Sequence, residues 1–232
     1  MSALPVLLLV HGAWHGPWCW EQLIDELPDV DVRTVALPSS GTGGGGDAGA
    51  LGDLRDDAAV VAHAVAEIDG PVVVVAHSYG GVPVTEALGS AANVRRVVYL
   101  CAFQLDAGES VLSAVGGTPP PWWDVREDDG TVAALDPEQV FYGDVEPGLR
   151  ARAVAQVGLQ SLAAFSQPLT QAAWHTLPST YVICEADGAI PPFAQEAMSG
   201  RARDVRRLDA SHSPFLSRPA ELAALLREEL GR

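Results

Sequence analysis

Ser78 stands at the centre of Ala76-His77-Ser78-Tyr79-Gly80, and the run Val72-Val73-Val74-Val75 leads into it. The valine run reads as a buried strand, and 82–87 reads as the start of a helix. A strand that turns sharply into a helix can hold a serine in a strained backbone conformation, with its hydroxyl projecting into a cleft. Strand and helix approach closely at such a turn, so small residues are needed two before and two after the serine. Gly80 meets that need. Ala76 takes a place where glycine is the more usual choice, adding one methyl group. The chemistry this arrangement serves is nucleophilic attack.

A serine hydroxyl is a poor nucleophile at neutral pH and needs a base, which in turn needs an orienting acid. Of six histidines, His212 is the best placed. It lies in Asp209-Ala210-Ser211-His212-Ser213-Pro214, between a strand expected at 205–208 and the last helix. His77 adjoins Ser78, but neighbouring side chains at a sharp turn point apart. His63 falls on a helix among Asp56, Asp57 and Glu67 and reads as solvated, and His175 reads as either a pocket or a surface residue. His11 and His15 are four apart, but Gly12, Gly16 and Pro17 exclude a helical ligand pair, so no metal site is expected. For the acid, Asp187 just past the strand expected at 180–184 is preferred, with Glu185 and Asp106 as alternatives.

Attack on a carbonyl creates an oxyanion that needs hydrogen-bond donors. The backbone N–H of Tyr79 is one, and the loop His11-Gly12-Ala13-Trp14-His15-Gly16 offers a second at Ala13. Gly12 allows close approach of the backbone to a ligand, and Trp14 is expected beside it at the substrate.

These residues require a scaffold that gathers loops at one edge. Apolar runs at Val6–Val10, 30–37, 72–76, 97–101, 180–184 and 205–208 alternate with helical patterns at 21–27, 53–68 and Pro219–Leu230. Short β-branched strands separated by helices imply a mainly parallel sheet of about six strands with helices on both faces. The glycine-dense stretch 41–52 reads as a mobile loop. Between Cys101 and Thr180 no clear strand is visible, and helical patches fall near 149–157 and 161–165. We therefore expect a core of 1–102 and 180–232, with a helical cap inserted at 103–179 over the edge where ligands bind in open α/β folds. Trp122, Trp123, Phe141, Phe165 and Trp174 in that cap are expected either to line a pocket or to pack the cap.

Composition narrows the partners. The chain has 232 residues, a net charge of -16 and no lysine, so every full positive side-chain charge is an arginine. Such an acidic surface argues against nucleic acid and anionic lipid. No secretory leader and no membrane-spanning run is read. Cys19, Cys101 and Cys184 show neither metal nor disulfide spacing, which favours a cytoplasmic setting. No cofactor is expected, and a monomer or homodimer is.

Val10-His11-Gly12-Ala13-Trp14-His15-Gly16, Ala76-His77-Ser78-Tyr79-Gly80-Gly81, Cys101-Ala102-Phe103, the stretch 185–191 and Ser211-His212-Ser213-Pro214-Phe215 together resemble the α/β-hydrolase superfamily. The resemblance is closer to the branch holding plant methylesterases, hydroxynitrile lyases and related bacterial esterases. It runs from about Val6 to the C-terminus and is weakest over 119–148. It implies an α/β-hydrolase fold, a triad of Ser78, Asp187 and His212, and an oxyanion hole from Ala13 and Tyr79. It also implies a small-molecule ester as substrate. In the lyases a threonine stands at the place of Gly12 and a lysine at the place of Ser213, and both departures favour ester hydrolysis. Alternatives are a hydroxynitrile lyase, a thioesterase or lactonase, and a weakly catalytic ligand-binding module.

Overall fold

A computed structural model describes residues 5–41 and 51–232. Most of the stretch expected to be a mobile loop, 42–50, lies outside the described residues. Among the described residues, nine strands form two sheets: β1 (Val6–Val10), β2 (Val32–Val35), β3 (Val72–His77), β4 (Val94–Leu100), β5 (Trp123–Arg126), β6 (Thr131–Ala134), β7 (Gln160–Ser161), β8 (Ser179–Cys184) and β9 (Asp204–Leu208). The main sheet has the order β2-β1-β3-β4-β8-β9 and every pair in it is parallel. Val72, Val73, Val74 and Val75 are sealed from solvent, as are Val97 and Val98 on the neighbouring strand. That is why these strands read as unbroken apolar runs: a parallel sheet covered on both faces has no polar side.

From β1 the chain steps outward to β2, then returns across β1 to begin β3. The direction of winding reverses there, and right-handed crossovers in opposite directions put helices on opposite faces. Helices Leu54–Ala66 and Gly81–Ala87 pack together on one side, and Glu21–Asp25 packs with Pro219–Leu230 on the other. A crevice opens at the C-terminal ends of the two strands flanking the reversal, β1 and β3. The loops leaving those two strands carry Ala13 and Ser78.

Helix Leu54–Ala66 starts where its sequence dictates. Asp53 caps it by accepting from the N–H groups of Arg55 and Asp56, and the Asp56 carboxylate reaches back to the Asp53 N–H, a reciprocal arrangement that satisfies otherwise orphaned donors.

The segment between β4 and β8 departs from the expected helical cap. It holds short helices, among them Val111–Ala114, Pro137–Phe141, Pro147–Val154 and Leu162–Ser166, but also a three-stranded antiparallel sheet, β5-β6-β7. The acidic run 127–129 is the tip of the β5–β6 hairpin, and Gly130 completes it with φ of 69°. Strands of four and two residues are too short for alternation to register in sequence, and their turn reads as a surface charge run. The small sheet is fastened to the core. Ser40 bridges to Gln160, the Ser161 N–H donates to the Ser39 carbonyl, and the Gly41 N–H donates to that of Leu159. Among the described residues no helix is long and apolar enough to cross a membrane.

Candidate active site

Ser78 follows directly on β3 with φ of 53°, a left-handed conformation rare for a side chain with Cβ. The turn survives because its neighbours leave no slack. A Cβ on Gly80 would lie 2.5 Å from the His11 carbonyl oxygen, and one on Gly81 would lie 2.3 Å from that of Phe103. Glycine is required at both places by contact with backbone, which cannot step aside.

His212 Nδ1 lies 2.7 Å from Asp187 Oδ2, and both side chains are buried. A carboxylate only accepts, so Nδ1 carries the proton and Nε2 keeps the lone pair a base needs. Asp187 is held on all sides: Oδ1 accepts from the N–H groups of Ala189 at 2.7 Å and Ile190 at 2.9 Å. Oδ2 also takes Gln195 Nε2 at 3.0 Å. Gln195, on helix Pro192–Ser199, further donates to the Ile190 carbonyl and accepts from the Cys184 N–H. The two alternative acids lie elsewhere. Glu185 is exposed and pairs with Arg207, while Asp106 pairs with exposed His175.

Ser78, Tyr79, Ala13 and His212 all line one apolar cleft. Trp14, Trp122, Trp123, Phe141 and Phe165 line it too. They also pack on one another: the Trp14 ring centroid is 5.3 Å from that of Trp122 and 5.3 Å from that of Phe165. Lining the cleft and packing the cap are thus one arrangement. Trp174 is different. Its indole N–H donates to the Leu105 carbonyl and its ring stacks on His175 at 3.8 Å, away from the cleft. Its place just before β8 is what carries it off, so it is no candidate for contact with a ligand at Ser78. Gly12 lies beneath the serine: a Cβ there would come within 2.7 Å of Ser78 Cβ and 2.9 Å of His77 Nδ1.

The loop after β1 is fixed by its histidines. The Leu37 N–H donates to His11 Nε2 at 3.1 Å, so the proton sits on Nδ1, which donates to the Gly12 carbonyl at 2.8 Å. That carbonyl shares a peptide plane with the Ala13 N–H, and fixing one aims the other. His15 Nδ1 likewise donates to the Ala13 carbonyl at 2.8 Å, while Tyr142 Oη–H donates to its Nε2 at 2.8 Å. Burial pushes His11 down to about 4 and His15 down to about 3, so both rings are neutral at neutral pH. His77 Nε2 donates to the main-chain carbonyl of His212 at 2.8 Å, and the Cys101 thiol also approaches that oxygen, at 3.6 Å. The donor atoms of His77, Cys101 and His212 lie within 4.8 Å of one another, and these hydrogen bonds engage two of the three.

A second buried carboxylate supports the site from below. Asp57 accepts from the Ser39 N–H at 2.9 Å, the Ser39 hydroxyl at 2.5 Å and the Tyr79 phenol at 2.6 Å. Ser39 Oγ accepts from Gln160 Nε2, and Gln160 Oε1 accepts from the Trp14 N–H at 3.3 Å. One connected network therefore reaches the residues on both sides of the cleft floor, Trp14 and Tyr79. Burial pushes the Asp57 carboxyl up, against the opposing pull of its three donors. Sequence reasoning passed over Asp57, though a signal was present: it lies three residues after Leu54 and four before Val61, on the apolar stripe of its helix. Gln195 and Gln160 gave no comparable signal.

The sequence model described as the Alpha/beta hydrolase family matches residues 7–225. The chain belongs to that family. A probable hydrolase of Phoma sp. is 31% identical, with 98% of each chain covered. A carbendazim hydrolyzing esterase of Nocardioides sp. is 29% identical over 94% of this chain and 97% of its own. Among solved structures, a pyrethroid hydrolase from Sphingobium faniae superimposes with a TM-score of 0.84 at 21% identity, covering 99% of this chain and 98% of that one, a likeness of fold.

Proposed function

We propose that the protein hydrolyses a small, fairly apolar carboxylic ester through an acyl-enzyme on Ser78. The observation that carries this reading is the convergence of Ser78, the Asp187–His212 pair and the residues Ala13 and Tyr79 on one apolar cleft. The names of two relatives, a carbendazim hydrolyzing esterase and a methylesterase, point the same way.

His212 Nε2 takes the Ser78 proton as Oγ attacks the ester carbonyl, and Asp187 stabilises the imidazolium that forms. The N–H groups of Ala13 and Tyr79 receive the oxyanion. Collapse of the tetrahedral intermediate breaks the bond to the alcohol, which leaves with the proton from His212. Water then gives its proton to the same nitrogen and attacks the acyl carbon, and Ser78 Oγ leaves and regains a proton. The positioned base contributes about 10²–10⁴-fold, and each oxyanion donor about 10²–10³-fold.

Gly12 speaks against cyanide elimination. A threonine there would press its Cβ against Ser78, and no lysine exists anywhere in the chain to stabilise departing cyanide. The decisive experiment compares wild type and Ser78→Ala on a panel of methyl, aryl, thio and cyclic esters. Turnover of aryl and alkyl esters lost in the variant supports the reading. Ester turnover unchanged in Ser78→Ala would sink it, and failure of Ser78 to react with a fluorophosphonate would favour a binding module.

A further inference from the structure

The cleft at Ser78 shares part of its lining with a second space. Phe103, Val115, Pro120, Trp122, Ala189 and Ile190 line both that cleft and a second, larger groove. These six residues form a boundary common to both spaces. Beyond it the groove runs between Pro120-Pro121 and helix Pro192–Ser199, over Ala194, Ala197 and Met198.

The groove is apolar where it could have been charged. Glu109 and Arg201 are its charged lining residues among those described, and each already satisfies the other. Arg201 Nη1 donates to Glu109 Oε2 at 2.7 Å and Nη2 donates to Oε1 at 3.0 Å, a two-pronged pair, and Nη1 also donates to the Gln104 carbonyl at 2.7 Å. A guanidinium engaged in this way has little left to offer a substrate carboxylate or phosphate. At the rim the Phe193 side chain stands 77% exposed, a large ring left in water beside an apolar surface.

We propose that this groove is a second substrate subsite: it takes the longer, uncharged, apolar arm of an ester whose carbonyl and shorter arm occupy the cleft at Ser78. The inference rests on the reading of Ser78 as an ester nucleophile. The shared lining of six residues sets the two spaces side by side, and the neutralised Arg201 sets the class: an alkyl or aryl chain without a free acid. The long arm belongs to either the acyl or the alcohol part, and the substrates below separate the two.

The test measures kcat/KM with four substrates: p-nitrophenyl acetate, p-nitrophenyl octanoate, methyl acetate and octyl acetate. Each is run with wild type, Ala197→Trp and Phe193→Ser. Both substitutions fall on exposed positions of the groove away from the reacting atoms, and thermal melting checks folding. In wild type at least one eight-carbon ester is preferred over its short counterpart by about tenfold or more, the scale expected when methylenes enter an apolar pocket. The octanoate identifies the long arm as acyl, and octyl acetate as alcohol. In Ala197→Trp that preference falls about tenfold while the short esters stay within about twofold of wild type. Phe193→Ser moves the same way. Equal rates for long and short esters in wild type would overturn the subsite, as would folded variants that leave the long-chain preference intact or lower all four substrates alike. Retention of p-nitrophenyl acetate turnover in Ser78→Ala is a separate result, and it overturns the reading of the nucleophile instead.

Discussion

The phenol of Tyr79 donates to Oδ2 of Asp57 across 2.6 Å in a site closed to solvent. The main-chain N–H of the same tyrosine lies next to Ser78. A carboxylate on a helix beneath the sheet thereby holds the residue whose backbone would receive the oxyanion. Asp57→Asn keeps the shape but exchanges an acceptor for a donor, setting an amide N–H against either the phenol or Ser39. We expect kcat on an aryl ester to fall about tenfold with KM little changed, and stability to fall by about 1–3 kcal/mol, the cost of leaving buried donors unpaired. Steady-state kinetics and urea unfolding check both. Unaltered kcat in a folded variant would show that the network braces the fold alone.

Gln195 holds Asp187 as Asp57 holds Tyr79. Gln195→Leu preserves volume but strips Asp187 Oδ2 of one donor and leaves the Ile190 carbonyl and Cys184 N–H without their side-chain partners. The expected result is a drop in kcat/KM of about tenfold, with a shift in the acid limb of the pH–rate profile. A purely structural glutamine would change the melting temperature and leave that limb in place.

Two glycines make opposite predictions about which property fails. Gly80→Ala drives a methyl into the carbonyls that end β1 and is expected to cost roughly 3 kcal/mol or more of stability. Gly12→Thr meets side-chain atoms of Ser78 and His77, so the fold survives with a displaced nucleophile and ester turnover falls about a hundredfold. No cyanide release from mandelonitrile should appear in that variant, since the threonine would come without a lysine. Cyanide release would contradict the need for the missing lysine.

Stability should depend on pH through rings that cannot take up protons while folded. His11, His15 and His77 all have native pKa values pushed below 6.5 by burial, to about 4 for His11 and about 3 for His15. Below pH 6.5 the unfolded chain therefore binds more protons than the native one. Stability is fullest above that pH and declines as pH falls, down to about 4 for His11 and about 3 for His15. Each ring contributes a slope of up to about 1.4 kcal/mol per pH unit. Asp57 acts with opposite sign: its native pKa is raised above 3.8, so just above that pH its share of stability falls as pH rises. Urea unfolding at pH 7, 6 and 5 should show a net decline, and His15→Asn should flatten it by about one proton. An unchanged slope in that variant would contradict the assignment.

The legible part of the molecule was the part built from long apolar strands. β3 emerged from its valines, and Ser78, Asp187 and His212 from their places just past strand ends, because a parallel sheet delivers every such loop to one edge. The segment between β4 and β8 was not legible in the same way. Its strands are short, its hairpin tip is a run of acids, and β7 is two residues long. Trp174 looked like its fellow aromatics in sequence, and only the path of the chain before β8 separates it from them. Gln195 and Gln160 act through amides whose partners lie on other elements, a relationship that no local pattern encodes.

The fastening of the small sheet to the loops after β1 and β2 has a consequence for how the molecule comes into being. Trp14 bonds Val132 and Gln160 across 118 and 146 residues of chain, and Gln160 bonds Ser39 across 121. Contacts this distant in sequence close late, because the entropy of a large loop must be overcome before they form. The left-handed backbone of Trp14, with φ of 62°, is held by these same late bonds. Competence should thus mature after the sheet does: on refolding, the far-ultraviolet signal returns first, and reactivity of Ser78 follows once the two ends of the network have found each other.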